Sequence, residues 1–327
     1  MPITEPDPDA AFFIVLNAGS GHSETEVRRA VIENVMAANG RICHLELVDD
    51  PTELQAIARS MAARALAGNG ILVAAGGDGT INTVAHEAVL AGCTFGVLPQ
   101  GTFNYFGRTH GIPEDLTEAV YALLRAHVRP VQVGVVNNKV FLVNASVGLY
   151  PKLLEEREHD KRHYGRSRLV AFFSAVKIML RPARHLRITL ELEGKERRLR
   201  TTTLFIGNNR LQLEQVGMDG LTDAVEEGQL VAIAPRPMGR LGLLGLLIRG
   251  ALGRLGEADV EAFAFKRLTV RTPALYGRKR MKVAADGEVE PMPMPLEFRV
   301  LEGRLYLMVQ GSSRKQARAD PEQDEPT

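Results

Sequence analysis

Apolar runs alternate with longer mixed stretches over the first 130 residues of the chain. Each run is short, as in a buried strand, and in the first mixed stretch Val27, Val31 and Val35 recur at helical spacing. Alternating strands and helices predict a parallel sheet covered on both faces, so residues 11–130 are predicted to form an α/β domain. The predicted strands lie near residues 11–16, 42–47, 71–75 and 95–98, and the predicted helices near 24–39, 51–67, 80–91 and 115–127.

The pattern changes after Pro130 to short apolar strands joined by turns. This favours a mostly antiparallel β domain over residues 131–303, with helical inserts near 165–181 and 238–255. A final strand over 304–311 either ends that domain or returns to the first one. Its predicted strands are 131–135, 140–143, 186–192, 199–206, 229–234, 263–270, 280–284 and 296–300. Few residues of the terminal segments 1–10 and 312–327 can be buried, so both are predicted to be disordered.

A glycine-rich turn follows the third predicted strand, where residues 76–80 are Gly-Gly-Asp-Gly-Thr. The missing side chains let backbone N–H groups approach an anion closely. A lone carboxylate, Asp78, would repel a phosphate unless it met one through Mg²⁺ or water, or bound a substrate hydroxyl. The alternative is a tight strand-to-helix turn in which Asp78 caps the helix.

Two similar turns follow other strands of the predicted sheet. Residues 100–104 are Gln-Gly-Thr-Phe-Asn, and residues 17–21 are Asn-Ala-Gly-Ser-Gly. Ligands of open α/β sheets bind beyond the carboxyl ends of the strands, so these turns can converge on one crevice. Together the three turns predict a nucleoside triphosphate pocket.

Composition and charge exclude several classes of protein. The chain has 327 residues, a length that suits two domains. Its net charge is +1, so it has no large excess of positive charge with which to bind nucleic acid. The two cysteines have no metal-binding or CxxC spacing. No secretory signal and no apolar run long enough to span a bilayer is visible. These features predict a cytoplasmic protein that at most lies on a membrane surface.

The three turns together resemble the diacylglycerol kinase catalytic family, which includes bacterial lipid kinases and the sphingosine and ceramide kinases. The resemblance covers about residues 11–310. Residues 165–173, Gly-Asn-Asn at 207–209 and Asp-Gly-Glu at 286–288 add to it. It implies a Rossmann-like N-terminal domain like that of NAD kinases, a larger β-sandwich domain for the lipid, and ATP with Mg²⁺ in the cleft between them.

The resemblance also implies roles for individual residues. Glu288 resembles a general base that takes the proton from the hydroxyl of diacylglycerol or a related lipid, and Asp78 positions a Mg²⁺–water network or that hydroxyl. A plain hairpin turn is the alternative for residues 286–288. The residues expected to bind the nucleotide are Asn17, Gly19, Ser20, Gly21, Gly76, Gly77, Gly79, Thr80, Gly101, Thr102, Asn104 and Asp286.

The chain departs from the family pattern at two places. The family's second turn usually ends in Asp, where this chain has Tyr105, and a phenol with a pKa of about 10 does not bind Mg²⁺ at neutral pH. A metal-binding element of the β domain is matched best by residues 227–231, which keep Glu227 and have Val231 in place of an acid. Glu227 is therefore the candidate metal ligand, and residues 219–223 are an alternative placement of this element.

A basic and apolar segment over residues 161–187 suits contact with anionic lipid at the inner face of the membrane. An ordinary core helix with a solvated arginine edge would give the same pattern. The leading hypothesis is thus an ATP-dependent lipid kinase, with a homodimer left open. Its alternatives are a soluble-substrate kinase similar to NAD kinase, and a nucleotide- or lipid-binding protein whose catalysis has decayed.

Overall fold

The computed structural model shows two domains that share one sheet. It describes residues 7–18, 22–149, 151, 185–239, 242, 245–246, 248–249, 253–254, 259–273 and 279–310.

Four parallel strands form the sheet of the first domain. They are β1 (Phe12–Asn17), β2 (Cys43–Val48), β3 (Ile71–Gly76) and β4 (Thr94–Pro99), in the order β2-β1-β3-β4. All six residues of β3 are buried, which explains its unbroken apolar sequence.

Helices cover both faces of this sheet. They are α1 (His22–Ala38), α2 (Leu54–Ala67), α3 (Asp78–Ala91), the short α4 (Tyr105–Thr109) and α5 (Leu116–Leu124). Alternate residues of β1 face opposite sides: Phe13 and Val15 pack in the core with α2 and α3, whereas Phe12 and Ile14 pack in the core with α1 and α5. Ala10 is also buried in the second of these cores, so the ordered domain begins before residue 11.

The second domain is built from two sheets. The strands that belong to it are β5 (His127–Val136), β6 (Lys139–Phe141), β7 (Asn144–Gly148), β8 (Leu186–Leu192), β9 (Lys195–Thr201), β10 (Thr203–Gly207), β11 (Leu230–Pro235), β12 (Val260–Phe265), β13 (Arg267–Arg271), β14 (Arg280–Ala285), β15 (Glu288–Pro293) and β16 (Leu296–Val309). One sheet has the order β12-β11-β10-β7-β14-β15, and the other contains β5, β6, β8, β9, β13 and β16. Within the described residues all strand pairs of the first of these sheets are antiparallel.

The two sheets enclose an apolar core, as in a sandwich. Leu204 and Ile206 on β10 pack in the same cluster as Leu268 and Val270 on β13. The opposite face of β11 is covered as well, because Val231 packs with residues of α6 (Arg210–Gln215). A short helix α7 (Thr222–Glu226) leads into β11.

The long strand β16 joins the two domains. Its first half pairs antiparallel with β13, and Tyr306 and Leu307 near its end pair parallel with β4. Strand β5 runs antiparallel beside it, with a bulge between Leu301 and Leu305. The last strand therefore lies in the sheet of the first domain, and the ten strands of this sheet form a continuous surface through both domains.

The predicted fold class, an α/β domain followed by a mostly antiparallel β sandwich, is confirmed. Several strand predictions were wrong in detail. Residues 263–270 were predicted to be one strand, but β12 and β13 divide near Lys266 and belong to different sheets. Residues 199–206 likewise divide between β9 and β10, and the strands predicted at 296–300 and 304–311 are one strand, β16. The insert predicted at 165–181 lies outside the described residues.

Candidate active site

The turns after β3 and β4 lie against each other. The backbone N–H of Gln100 donates to the carbonyl of Gly76 at 2.8 Å. A Cβ on Gly101 would lie 3.0 Å from the Cα of Gly77 and 2.9 Å from Oδ1 of Asn104. Glycine is required at this contact because any side chain would push the two turns apart.

Asn104 holds the second turn in place. It adopts the left-handed conformation, with φ of 48°, and is 3% exposed. Its Oδ1 accepts from the N–H of Gly101 at 2.8 Å, and its Nδ2 donates to the carbonyl of Gly101 at 2.9 Å. The side chain predicted to bind nucleotide thus closes the loop that carries Thr102, which is exposed.

Asp78 links the two turns electrostatically. It is the first residue of α3, and its Oδ2 accepts from the N–H of Asn104 at 3.1 Å. Burial raises the pKa of Asp78, while backbone N–H groups of Asn104, Tyr105 and Phe106 act in the opposite direction. The carboxylate therefore caps α4. Its Oδ1 is buried without a hydrogen-bond partner among the described residues, and the same is true of both polar atoms of the Gln100 side chain.

The start of α3 is also tied to β1. Nδ2 of Asn17 donates to Oγ1 of Thr80 at 2.8 Å, and Thr80 is buried. A Cβ on Gly76 would lie 2.8 Å from the Thr80 side chain, whereas a Cβ on Gly79 would meet nothing within 4 Å. The first N–H groups of a helix lack partners within the helix, so open space at Gly79 leaves room for an anion there. Gly19, Ser20 and Gly21 lie outside the described residues.

Asp286 lies in the two-residue turn between β14 and β15. Asp286 and Gly287 both have positive φ, 46° and 90°, as an Asp-Gly hairpin turn requires. Its Oδ1 accepts from the N–H groups of Val143 and Asn144 at 2.9 and 2.8 Å. Its Oδ2 accepts from the N–H of Leu142 at 2.6 Å and from the amide of Asn82 at 2.5 Å. Four donors from the protein therefore surround a residue that was predicted to bind nucleotide.

Glu288 follows this turn and lies beside α3. Its Oε1 is 3.4 Å from the hydroxyl of Thr83, which donates to the carbonyl of Gly79 at 3.0 Å. Its Oε2 forms an ion pair with Nζ of Lys139 at 3.0 Å, and the carboxylate side chain is 44% exposed. Glu288 thus lies beside α3, one helical turn beyond the glycine-rich turn, and its side chain remains open to a ligand.

A third set of contacts, which the sequence did not predict, joins α4 to the β domain. The hydroxyl of Tyr105 donates to Oε1 of Gln215 at 2.9 Å, and Nδ2 of Asn209 donates to Oγ1 of Thr109 at 2.7 Å. Burial raises the pKa of Tyr105, and the charge of Asp78 raises it further. The family resemblance marked Asn209, but its partner could not be read from the sequence.

No group of three or more His, Cys, Asp or Glu side chains suited to a metal occurs within the part of the chain that the structure describes. Glu227, the candidate ligand, is exposed at the end of α7. Two histidines near the turns have structural partners instead. Nδ1 of His86 accepts a hydrogen bond from the N–H of Val140 at 3.3 Å. Burial, together with the charge of nearby Arg129, lowers the pKa of His110 to about 4.

Comparison with known proteins decides the family. The diacylglycerol kinase catalytic domain model matches residues 11–136. A protein of Pseudomonas aeruginosa (strain UCBPP-PA14) named "Probable lipid kinase YegS-like" is 32% identical over 306 residues, which are 90% of this chain and 91% of that protein. The chain belongs to this lipid kinase family. The prediction of a phosphotransferase with an alcohol acceptor is therefore confirmed.

Two further relatives agree with this assignment. "Diacylglycerol kinase" of Bacillus subtilis (strain 168) is 34% identical over 130 residues, which cover 38% of this chain and 42% of that protein. The crystal structure of a diacylglycerol kinase from Bacillus anthracis str. Sterne matches with a TM-score of 0.64 at 16% identity. It covers 92% of this chain and 97% of that one, which shows a shared fold. Among the described residues of this family member, no helix could span a membrane.

Proposed function

We propose that this lipid kinase transfers the γ-phosphate of ATP to a hydroxyl of diacylglycerol or a related lipid. One observation carries the proposal: α3 begins at two touching glycine turns and has the carboxylates of Asp78 and Glu288 along its first turns. Phosphoryl transfer needs positioning and charge stabilisation more than covalent chemistry. The helix N–H groups supply both to the phosphates, and the two carboxylates can act through Mg²⁺ or on the acceptor hydroxyl.

The residues present fit a nucleotide with Mg²⁺. The open space at Gly79 and the first N–H groups of α3 suit the phosphates. Oδ1 of Asp78 and the amide of Gln100 lack protein partners among the described residues, so both can take a water or a ligand atom after a small rearrangement. Mg²⁺ often uses one or two carboxylates together with phosphate oxygens and water, so a cage of acidic residues is not needed. When bound, the ion neutralises charge on the phosphoryl oxygens.

Glu288 is the proposed base. The lipid hydroxyl oxygen forms a bond to the γ-phosphorus, the bond from that phosphorus to the bridging oxygen of ADP breaks, and the hydroxyl proton passes to Oε1 of Glu288. Oε2 of Glu288 is paired with Lys139. Oε1 is free to accept the proton, because its contact with the Thr83 hydroxyl is long, at 3.4 Å. Asp78 holds α4 and the second turn in position while the phosphates are bound.

Transfer of labelled γ-phosphate from MgATP to lipids in mixed micelles tests this function. We expect labelled diacylglycerol with the unaltered protein, and a loss of about 10²-fold or more with Glu288→Gln, because general-base catalysis is worth about that much. Asp78→Asn should also lose activity. Glu290→Gln, two residues along β15, is the matched control and should keep it. A parallel assay offers NAD as the acceptor, and labelled NADP without labelled lipid would instead support the soluble-substrate kinase. Nucleotide binding without any transfer would support a protein with decayed catalysis.

We further propose peripheral contact with the inner face of an anionic membrane through residues 161–187, of which 161–184 lie outside the described residues. Co-sedimentation with vesicles of phosphatidylglycerol and phosphatidylcholine tests this contact. Binding that does not rise with the fraction of phosphatidylglycerol would contradict it. Light scattering of the purified protein would decide whether it forms a homodimer.

A further inference from the structure

An exposed aromatic ring stands at the edge of the second turn. Phe103 is 55% exposed, although the next residue, Asn104, is almost fully buried. Its ring stacks on that of Tyr105, with centroids 5.7 Å apart and planes inclined by 6°. One face of the Phe103 ring is therefore covered by Tyr105, and much of the rest is open to a ligand.

Both neighbours of this ring are fixed. Asn104 is bound to Gly101 through two hydrogen bonds, and the Tyr105 hydroxyl is bound to Gln215 on the β domain. The residue after Phe103 also donates its N–H to Asp78. The ring therefore lies one residue from the contact with Asp78. A ligand that packs on it immobilises few groups that are not already fixed, so the entropic cost of binding is small.

The order of the strands separates two sides of the glycine-rich turn. Within the sheet, β3 lies between β1 and β4. Asn17 approaches the glycine-rich turn from the β1 side, and Phe103 lies on the β4 side. The β4 side reaches the β domain through the hydrogen bond between Tyr105 and Gln215. A nucleoside on the β1 side and an acceptor on the β4 side would both reach phosphates at the start of α3.

We propose that Phe103, supported by Tyr105, packs against the apolar part of the acceptor lipid and thereby determines which acceptors are used. This inference rests on the lipid kinase function proposed above. A lipid acceptor carries its hydroxyl next to apolar chains, so an apolar surface must lie close to the catalytic carboxylates. Two other exposed apolar side chains of this domain, Leu66 and Leu90, do not meet that requirement, because they lie at the C-terminal ends of α2 and α3, away from the glycine turns.

Steady-state kinetics with Phe103→Ala test the contact. Loss of the proposed aromatic contact with the lipid should raise the KM for dioleoylglycerol about 10-fold, with the KM for MgATP changed less than about twofold. Phe103→Leu should restore most of the affinity, and Tyr121→Ala should match the unaltered protein. A rise in the KM for MgATP alone would overturn the proposal and assign the ring to the nucleobase.

A second measurement does not depend on turnover. The chain contains no tryptophan, so Phe103→Trp introduces a single fluorescent reporter at this position. Mixed micelles that contain dioleoylglycerol should shift its emission to the blue and protect it from acrylamide, relative to the same micelles without dioleoylglycerol. Tyr121→Trp should show neither effect.

The two measurements separate the contact from the function. Lipid phosphorylation without a fluorescence shift, and without a change of KM in Phe103→Ala, would contradict the contact and leave the kinase intact. A shift that depends on dioleoylglycerol, without phosphorylation of any lipid, would support the contact and contradict the kinase.

Discussion

The side-chain amide of Asn82 donates a hydrogen bond of 2.5 Å to Oδ2 of Asp286, which lies 204 positions later in the sequence. Asn82 is on α3, and Asp286 is in the hairpin that carries Glu288. The same carboxylate accepts three backbone N–H groups of residues 142–144. The side chain of Asp286 therefore fixes α3, the start of β7 and the hairpin that carries the proposed base relative to one another.

Asn82→Ala should weaken this connection between the domains. Asn82 is 1% exposed, and its amide also contacts the carbonyl of Val140 at 3.2 Å. Removing it leaves the Asp286 carboxylate short of one donor, so we expect the free energy of unfolding to fall by about 2 kcal/mol in urea titrations. Asn39→Ala, which removes an exposed bond to Val35, should cost less than about 0.5 kcal/mol. Equal losses in both variants would contradict the role of Asn82.

The stability should depend on pH through Asp286. Burial raises its pKa from the ordinary value of 3.8 to about 6, against the opposing effect of its four donors. The folded protein therefore binds this proton more tightly than the unfolded chain does. The stabilisation is complete below about pH 4 and is lost as the pH rises through about 6, by about 3 kcal/mol for a shift of about two units.

Comparison with Asp286→Asn isolates this contribution, because the variant lacks the titrating group. The difference in free energy of unfolding between the unaltered protein and the variant should decrease as the pH rises from about 4 to about 6.5. Chemical denaturation at several pH values measures it. A difference that stays constant over this range would show that Asp286 has the same pKa in both states.

The sequence predicted the positions of the glycine turns better than the contacts that hold them in place. Apolar runs placed the glycine turns at the ends of β3 and β4, since the parallel strands that carry them are buried and have a clear pattern. The sequence could not show that both carboxylate oxygens of Asp286 accept hydrogen bonds from the protein. Three of the donors are backbone groups more than 140 positions away, and the fourth is the side chain of Asn82, 204 positions away. The division of residues 263–270 was missed for a similar reason: a chain that crosses between two sheets keeps its apolar pattern on both sides of Lys266.

Tyr105 illustrates the same limit. Its position marked only the loss of the acid that the family resemblance leads one to expect there, and nothing in the local pattern indicates Gln215, 110 residues away, as its partner. The structure gives the tyrosine a function in joining the domains. The resemblance thus marked Tyr105 as a position to examine, and its long-range contact came from the structure.

A double-mutant cycle with Tyr105→Phe and Gln215→Ala tests this contact. Tyr105→Phe removes the hydroxyl and keeps the ring that supports Phe103. The coupling free energy between the two positions should be about 0.5–1.5 kcal/mol, as for a single neutral hydrogen bond, when it is measured by urea denaturation. Strictly additive effects would show that the bond does not stabilise the fold in solution.

Gly101→Ala should disrupt nucleotide binding more than it disrupts folding. The new Cβ would lie 2.9 Å from Oδ1 of Asn104 and 3.0 Å from the Cα of Gly77, so the two turns must move apart. We expect the affinity for MgATP, measured by calorimetry, to fall at least about 10-fold, which corresponds to about 1.4 kcal/mol. Gly220→Ala is the control, because a Cβ there meets nothing within 4 Å and the position lies in the β domain. An unchanged MgATP affinity in Gly101→Ala would show that the contact between the turns does not shape the nucleotide site.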